Sequence, residues 1–141
     1  MGSAVALLAL LDIGLKWKMS NLRTGGAQGE GDKTSFFEKM HQVQLLTVEK
    51  VPQTMVLIGL NWAQCRLQGR ELSKGVKAVI VSSVVAAYVF VCRAYDFKVQ
   101  ANGYNMNGKP GDGVLSMYGV VGALGHYISQ ILLGCSLALQ V

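Results

Sequence analysis

The segment AVIVSSVVAAYVFVC, residues 78–92, contains no acid and no base. Gly75 opens the run around it, and Arg93, Tyr95 and Asp96 close it. From Gly75 to Tyr95 it has the length of a membrane-crossing helix, which takes about 20 residues to pass a hydrocarbon layer of about 30 Å. A strand buried on both faces of a soluble sheet is usually only about 4–8 residues long. We therefore read residues 75–95 as a helix inside lipid.

The chain on either side repeats this pattern. Downstream, Val114 to Val141 holds no Lys, Arg, Asp or Glu, and a helix is expected over 114–140. Within it Gly119, Gly122 and Gly125 recur every three residues, and Ala123 stands four after Gly119. Small residues on one stripe let helix backbones approach closely in a membrane, so these four are expected to pack against a neighbouring helix. Upstream, residues 37–65 form a second long run whose apolar heart is Val51 to Trp62. Its first part, from His41 to Lys50, is more polar and is expected to pass beyond the bilayer or face a polar bundle interior. Pro52 lies inside it, where a kink is the usual result. A shorter run at the start gives a helix over about 2–19, ending in Lys16, Trp17 and Lys18, residues suited to a membrane–water boundary. Polar, glycine-rich loops are expected at 20–35 and 96–113. The predicted architecture is all-α, one domain over 1–141, an integral membrane bundle of four helices.

Composition agrees with this reading. Apolar residues make up 51% of the 141 positions and charged residues 15%, against about 25% charged in a typical soluble domain. The mean hydropathy is +0.35. The net charge of +5 sits between the apolar runs, a placement that fits anionic lipid and excludes a nucleic-acid-binding face. The three cysteines, Cys65, Cys92 and Cys135, form no CxxC pair and indicate neither a disulfide framework nor a metal site. Residues 4–15 have the length of a signal peptide, but no base precedes them, Asp12 interrupts them, and no small-residue cleavage site follows. Four spans place both termini on one side. Eight bases flank or occupy the first and third loops, and four lie in or beside the middle connector (Arg66, Arg70, Lys74, Lys77). That bias turns the first and third loops toward the cytoplasm or its equivalent.

Ionisable groups at membrane depth are costly, about 2.5–3.5 kcal/mol each on insertion scales, and are functional candidates by default. Here they are Asp12, Glu49, Lys50 and His126. If the first two helices form an antiparallel hairpin, Asp12 and Lys50 fall about 15 and about 20 Å from the loop that joins them. A buried Asp12–Lys50 pair is therefore expected. His126 has no second histidine nearby and is expected to be a hydrogen-bonded packing residue, with no metal bound.

Residues 37–52, FEKMHQVQLLTVEKVP, resemble the second-helix signature of the MAPEG family, the membrane-associated proteins in eicosanoid and glutathione metabolism. The branch they resemble contains the microsomal glutathione transferases. The resemblance implies a left-handed four-helix bundle, usually a homotrimer, in the endoplasmic reticulum or an organellar membrane, mitochondrial or plastid. It implies a glutathione site built from an Arg, an Asn and a Glu on the second helix and an Arg on the third. On this chain only Glu49 is kept: Gln42 holds the Arg position, Leu46 the Asn position, and Tyr88 the third-helix Arg position, with Arg93 five residues further on. Glutathione is anionic and a thiolate needs a nearby cation, so these replacements predict that catalysis is lost. The chain would then be an accessory subunit among other membrane subunits, or a lipid-binding scaffold, with no cofactor. The alternative is a glutathione transferase or peroxidase for hydrophobic electrophiles that uses Glu49 and Arg93, with glutathione as its cofactor. A small transporter built around Asp12, Glu49 and Lys50 is a third reading.

Overall fold

A computed structural model describes residues 2–24, 31–95 and 117–139. The described residues form helix α1 (Gly2–Thr24), α2 (Gly31–Leu67), α3 (Lys74–Cys92) with a 3-10 turn (Arg93–Tyr95), and α4 (Met117–Leu139). The described residues are all-helical, as expected, and contain no strand. The loop expected over 96–113 lies outside them. The loop expected over 20–35 is shorter than its polarity suggested, because residues 20–24 and 31–35 are helical. Polar side chains end a membrane span, but they need not end the backbone hydrogen-bond ladder, which continues in water. At 1.5 Å per residue the 37 residues of α2 extend about 55 Å, well past a hydrocarbon layer of about 30 Å. The helix runs on through Pro52.

The α2–α3 turn has a specific local cause. Gly69 adopts a left-handed φ of 65°. Its N–H donates to the Arg66 carbonyl at 3.1 Å, and the Arg70 N–H donates back to the Cys65 carbonyl at 2.8 Å. This is a Schellman helix end, which satisfies two carbonyls that the helix itself leaves open. Ser73 then caps α3, its Oγ accepting from the Val76 N–H at 3.2 Å. Gly69→Ala is expected to lower stability by about 1–2 kcal/mol, since a Cβ disfavours this φ. Thermal unfolding in detergent measures it, and an unchanged midpoint would contradict the assignment.

Each helix buries one narrow stripe with spacings of three and four. On α1 it is Leu8, Leu11, Leu15 and Met19; on α2 it runs Met40, Val43, Thr47, Val51, Thr54, Ile58, Asn61 and Cys65. On α3 it is Ile80, Ser83, Ala87 and Phe90, with Ala86 buried beside Ala87, and on α4 Gly119, Gly122, His126, Ser129 and Leu133. These are coiled-coil-like seams. The opposite faces stay apolar and open: Leu10 is 63% exposed, Val81 62% and Ile131 64%. α3 and α4 make the most extensive contact, α1 lies on α2, and α2 also meets α4. Two segments, α3 with its 3-10 turn (Lys74–Tyr95) and α4, are long and apolar enough to cross a membrane. α1 carries Asp12, Lys16, Lys18 and Arg23, and the first half of α2 is rich in charge, so both are less apolar as wholes.

Candidate functional site

A polar seam runs along the inner face of α2. Thr47, Thr54 and Asn61 stand seven residues apart, so they share one face. Each returns a hydrogen bond to the carbonyl four residues earlier: Thr47 Oγ1 to Val43 at 2.7 Å, Thr54 Oγ1 to Lys50 at 2.9 Å, and Asn61 Nδ2 to Leu57 at 2.9 Å. Two of these positions also tie α2 to α4. Asn61 Nδ2 donates to the Leu133 carbonyl at 3.0 Å. Gln130 Nε2 donates to the Lys50 carbonyl and to Thr54 Oγ1, both at 3.1 Å. Side-chain amides and hydroxyls bonded across helices in this way help to lock helix register.

One turn along, α2, α3 and α4 line a small, partly open cavity of about 40 Å³. Leu46, Thr47 and Lys50 line it from α2, Phe90 from α3, and Ala123, His126 and Tyr127 from α4. The Lys50 ammonium lies 5.0 Å from the centre of the Tyr127 ring, over its face, and 3.1 Å from Glu49 Oε1. The ring face and the carboxylate thus share the charge of a lysine whose side chain is only 19% exposed. His126 is buried, and its Nδ1 has no hydrogen-bond partner among the described residues. The cavity has room for little more than water or one small polar group. A drug-sized ligand needs about 300 Å³ or more.

The expected Asp12–Lys50 pair does not form. Asp12 Oδ2 pairs with Lys16 Nζ at 2.6 Å, one turn along the same helix, and Lys50 takes Glu49 and Tyr127. A partner four residues away on one helix is reached without aligning two helices, which is why the local pair wins. Asp12 Oδ1 stays buried without a partner among the described residues. Glu49 is mostly exposed, 57% at its side chain. Arg93 and Gln42 do meet: Arg93 Nη2 donates to Gln42 Oε1 at 3.4 Å. Tyr88 lies apart from them, its hydroxyl donating to the Leu7 carbonyl of α1 at 3.1 Å. Leu46 lines the cavity.

The small residues of α4 face α3. A Cβ on Gly122 would stand 2.6 Å from the Phe90 backbone, one on Gly125 2.8 Å from Ala86 Cβ, and one on Gly119 2.8 Å from Arg93 Cδ. Gly119 thereby leaves room for the stem of the arginine that reaches Gln42. Ala123 is half-buried and packs against the core. Sequence reasoning overlooked Thr47, Thr54, Asn61 and Gln130. The heptad spacing of three hydrogen-bonding residues in α2 was the available signal.

No family model, no curated protein and no solved structure matches this chain.

Proposed function

We propose that this chain is an integral membrane four-helix bundle of the MAPEG type, without glutathione chemistry, that serves as an accessory subunit of a larger membrane complex. The observation that carries the membrane part is an apolar exterior around a mostly apolar core that also holds a polar seam. Thr47, Thr54, Asn61, Ser83, His126 and Ser129 are buried. Leu7, Leu10 and Ile13 on α1, Val56 and Leu60 on α2, Val81 and Val85 on α3, and Leu124, Ile128 and Ile131 on α4 are exposed. A water-soluble bundle keeps its exterior polar, and an apolar exterior on every helix calls for lipid or further apolar subunits.

What supports the loss of catalysis is the fate of the cations. Arg93 is engaged by Gln42, the residue in the place of the family's first cation. Lys50 is held by Glu49 and the Tyr127 ring. Glu49, the one family residue kept, therefore has a lysine partner and no arginine beside it. The cavity beside Lys50, about 40 Å³, is far below the volume of a tripeptide thiol.

Three measurements test this reading. Alkaline carbonate should leave the protein in the membrane fraction; its release into the soluble fraction would exclude the bundle in lipid. Titration of the detergent-solubilised protein with millimolar glutathione should give no saturable heat and no thiolate absorbance. Saturable binding with turnover of a model electrophile would establish the transferase instead. Native mass measurement after mild solubilisation should find the chain among unlike subunits, and a homotrimer alone would refute the accessory role.

A further inference from the structure

The α2–α3 turn borders a second, larger and open cavity of about 230 Å³. Arg66, Arg70 and Lys77 line it together with Trp62, over a floor of buried Cys65 and Leu72. Its one acid, Glu71, already pairs with Lys77 at 3.4 Å. Arg70 makes no ion pair among the described residues, and the Arg66 guanidinium lies over the Trp62 ring, 5.7 Å from its centre. The Gly69 turn folds Arg70 back onto Cys65, so bases from α2, the turn and α3 converge on one cavity.

The position of this cavity matters as much as its charge. It lies at the end of the Lys74–Tyr95 span, just before the uncharged run of residues 78–92. Trp62 is half-exposed there, and indole rings settle at the headgroup level of a bilayer. We propose that this cavity binds the phosphate group of an anionic membrane lipid, with Arg66 and Arg70 as its principal contacts and the acyl chains running down the apolar face below. Arginine is suited to the task because its planar fork matches a phosphate with two parallel hydrogen bonds. The inference rests on the membrane reading given above.

Trp62 is the reporter. The chain has two tryptophans, and Trp17→Phe leaves Trp62 alone. The protein is placed in phosphatidylcholine bilayers and titrated with chain-brominated lipid, which quenches nearby indole. Brominated phosphatidylcholine should quench Trp62 in proportion to its share of the bilayer. Brominated phosphatidic acid should quench at a much smaller share. Arg66→Gln with Arg70→Gln should raise the phosphatidic acid midpoint about 25-fold, taking about fivefold for each base near an anionic surface. Arg70→Gln alone, which leaves the stack on Trp62 intact, should raise it about fivefold. Lys18→Gln, on another part of the chain, should leave it unchanged.

Equal quenching by the two lipids overturns the headgroup site and leaves the membrane reading standing. Absence of quenching by either lipid overturns both. Displacement of phosphatidic acid by soluble glycerol phosphate at comparable concentration means that the cavity takes free phosphate, and the lipid assignment fails.

Discussion

Gly122→Val is expected to undo the contact between α3 and α4, lowering stability by about 3 kcal/mol or more. The position a Cβ would take at Gly122 is 2.6 Å from the N, Cα and Cβ of Phe90. No rotamer change relieves a clash with backbone, so the two helices must separate. Overpacking in a core usually costs about 1–3 kcal/mol, and the upper end applies where the backbone itself must shift. The loss spreads, because Phe90 is also a wall of the small cavity and Gly119 leaves the room that the Arg93 stem occupies. Gly134→Ala is the matched control. Nothing lies within 4 Å of its Cβ position, and alanine is a better helix former by about 1 kcal/mol. Thermal unfolding in detergent should show a large fall for the first and no fall for the second. Equal midpoints would mean that α3 and α4 do not approach as described.

Asn61→Asp is the second large effect, with about 3 kcal/mol lost and the α2–α4 contact loosened. Asn61 is fully buried, and its Nδ2 bridges the Leu57 and Leu133 carbonyls. Aspartate replaces that donor with an acceptor, so a carboxylate oxygen meets two carbonyl oxygens. A charge buried without a counter-ion costs about 3 kcal/mol or more, and that repulsion adds to it. Asn61→Leu removes the same bonds without adding charge and should cost only about 1–2 kcal/mol. The order of the two variants is the diagnostic. If aspartate is tolerated as well as leucine, water reaches Asn61 and the seam is not dry.

Much of this fold was legible from residue order alone. The uncharged run at 78–92 has only one inexpensive conformation in an apolar setting, a helix that satisfies its own backbone. The three-residue glycine period in α4 pointed to a close approach, and those glycines face α3 at Phe90, Ala86 and Arg93. The ends of helices were harder to read. α1 continues to Thr24 and α2 begins at Gly31, because a polar composition marks departure from lipid and not the end of a helix.

Charge pairing was the least legible feature. The sequence placed Asp12 and Lys50 at similar depth, but depth fixes only one coordinate of three. Rotation about each helix axis decides whether two side chains at one level face each other. The structure turns Asp12 to Lys16 and Lys50 to Glu49 and Tyr127.

By itself, then, the order of residues determined that the described segments are helical, where the apolar segments lie, and which helix carries the small residues. Those properties are local: they follow from backbone self-satisfaction and from side-chain size along one helix. Only the tertiary structure decided that Thr47, Thr54 and Asn61 face α4, that Arg93 reaches Gln42, and that Arg66, Arg70 and Lys77 share one cavity. The angular register between helices is set by the packing of whole faces at once, and no single segment contains that information.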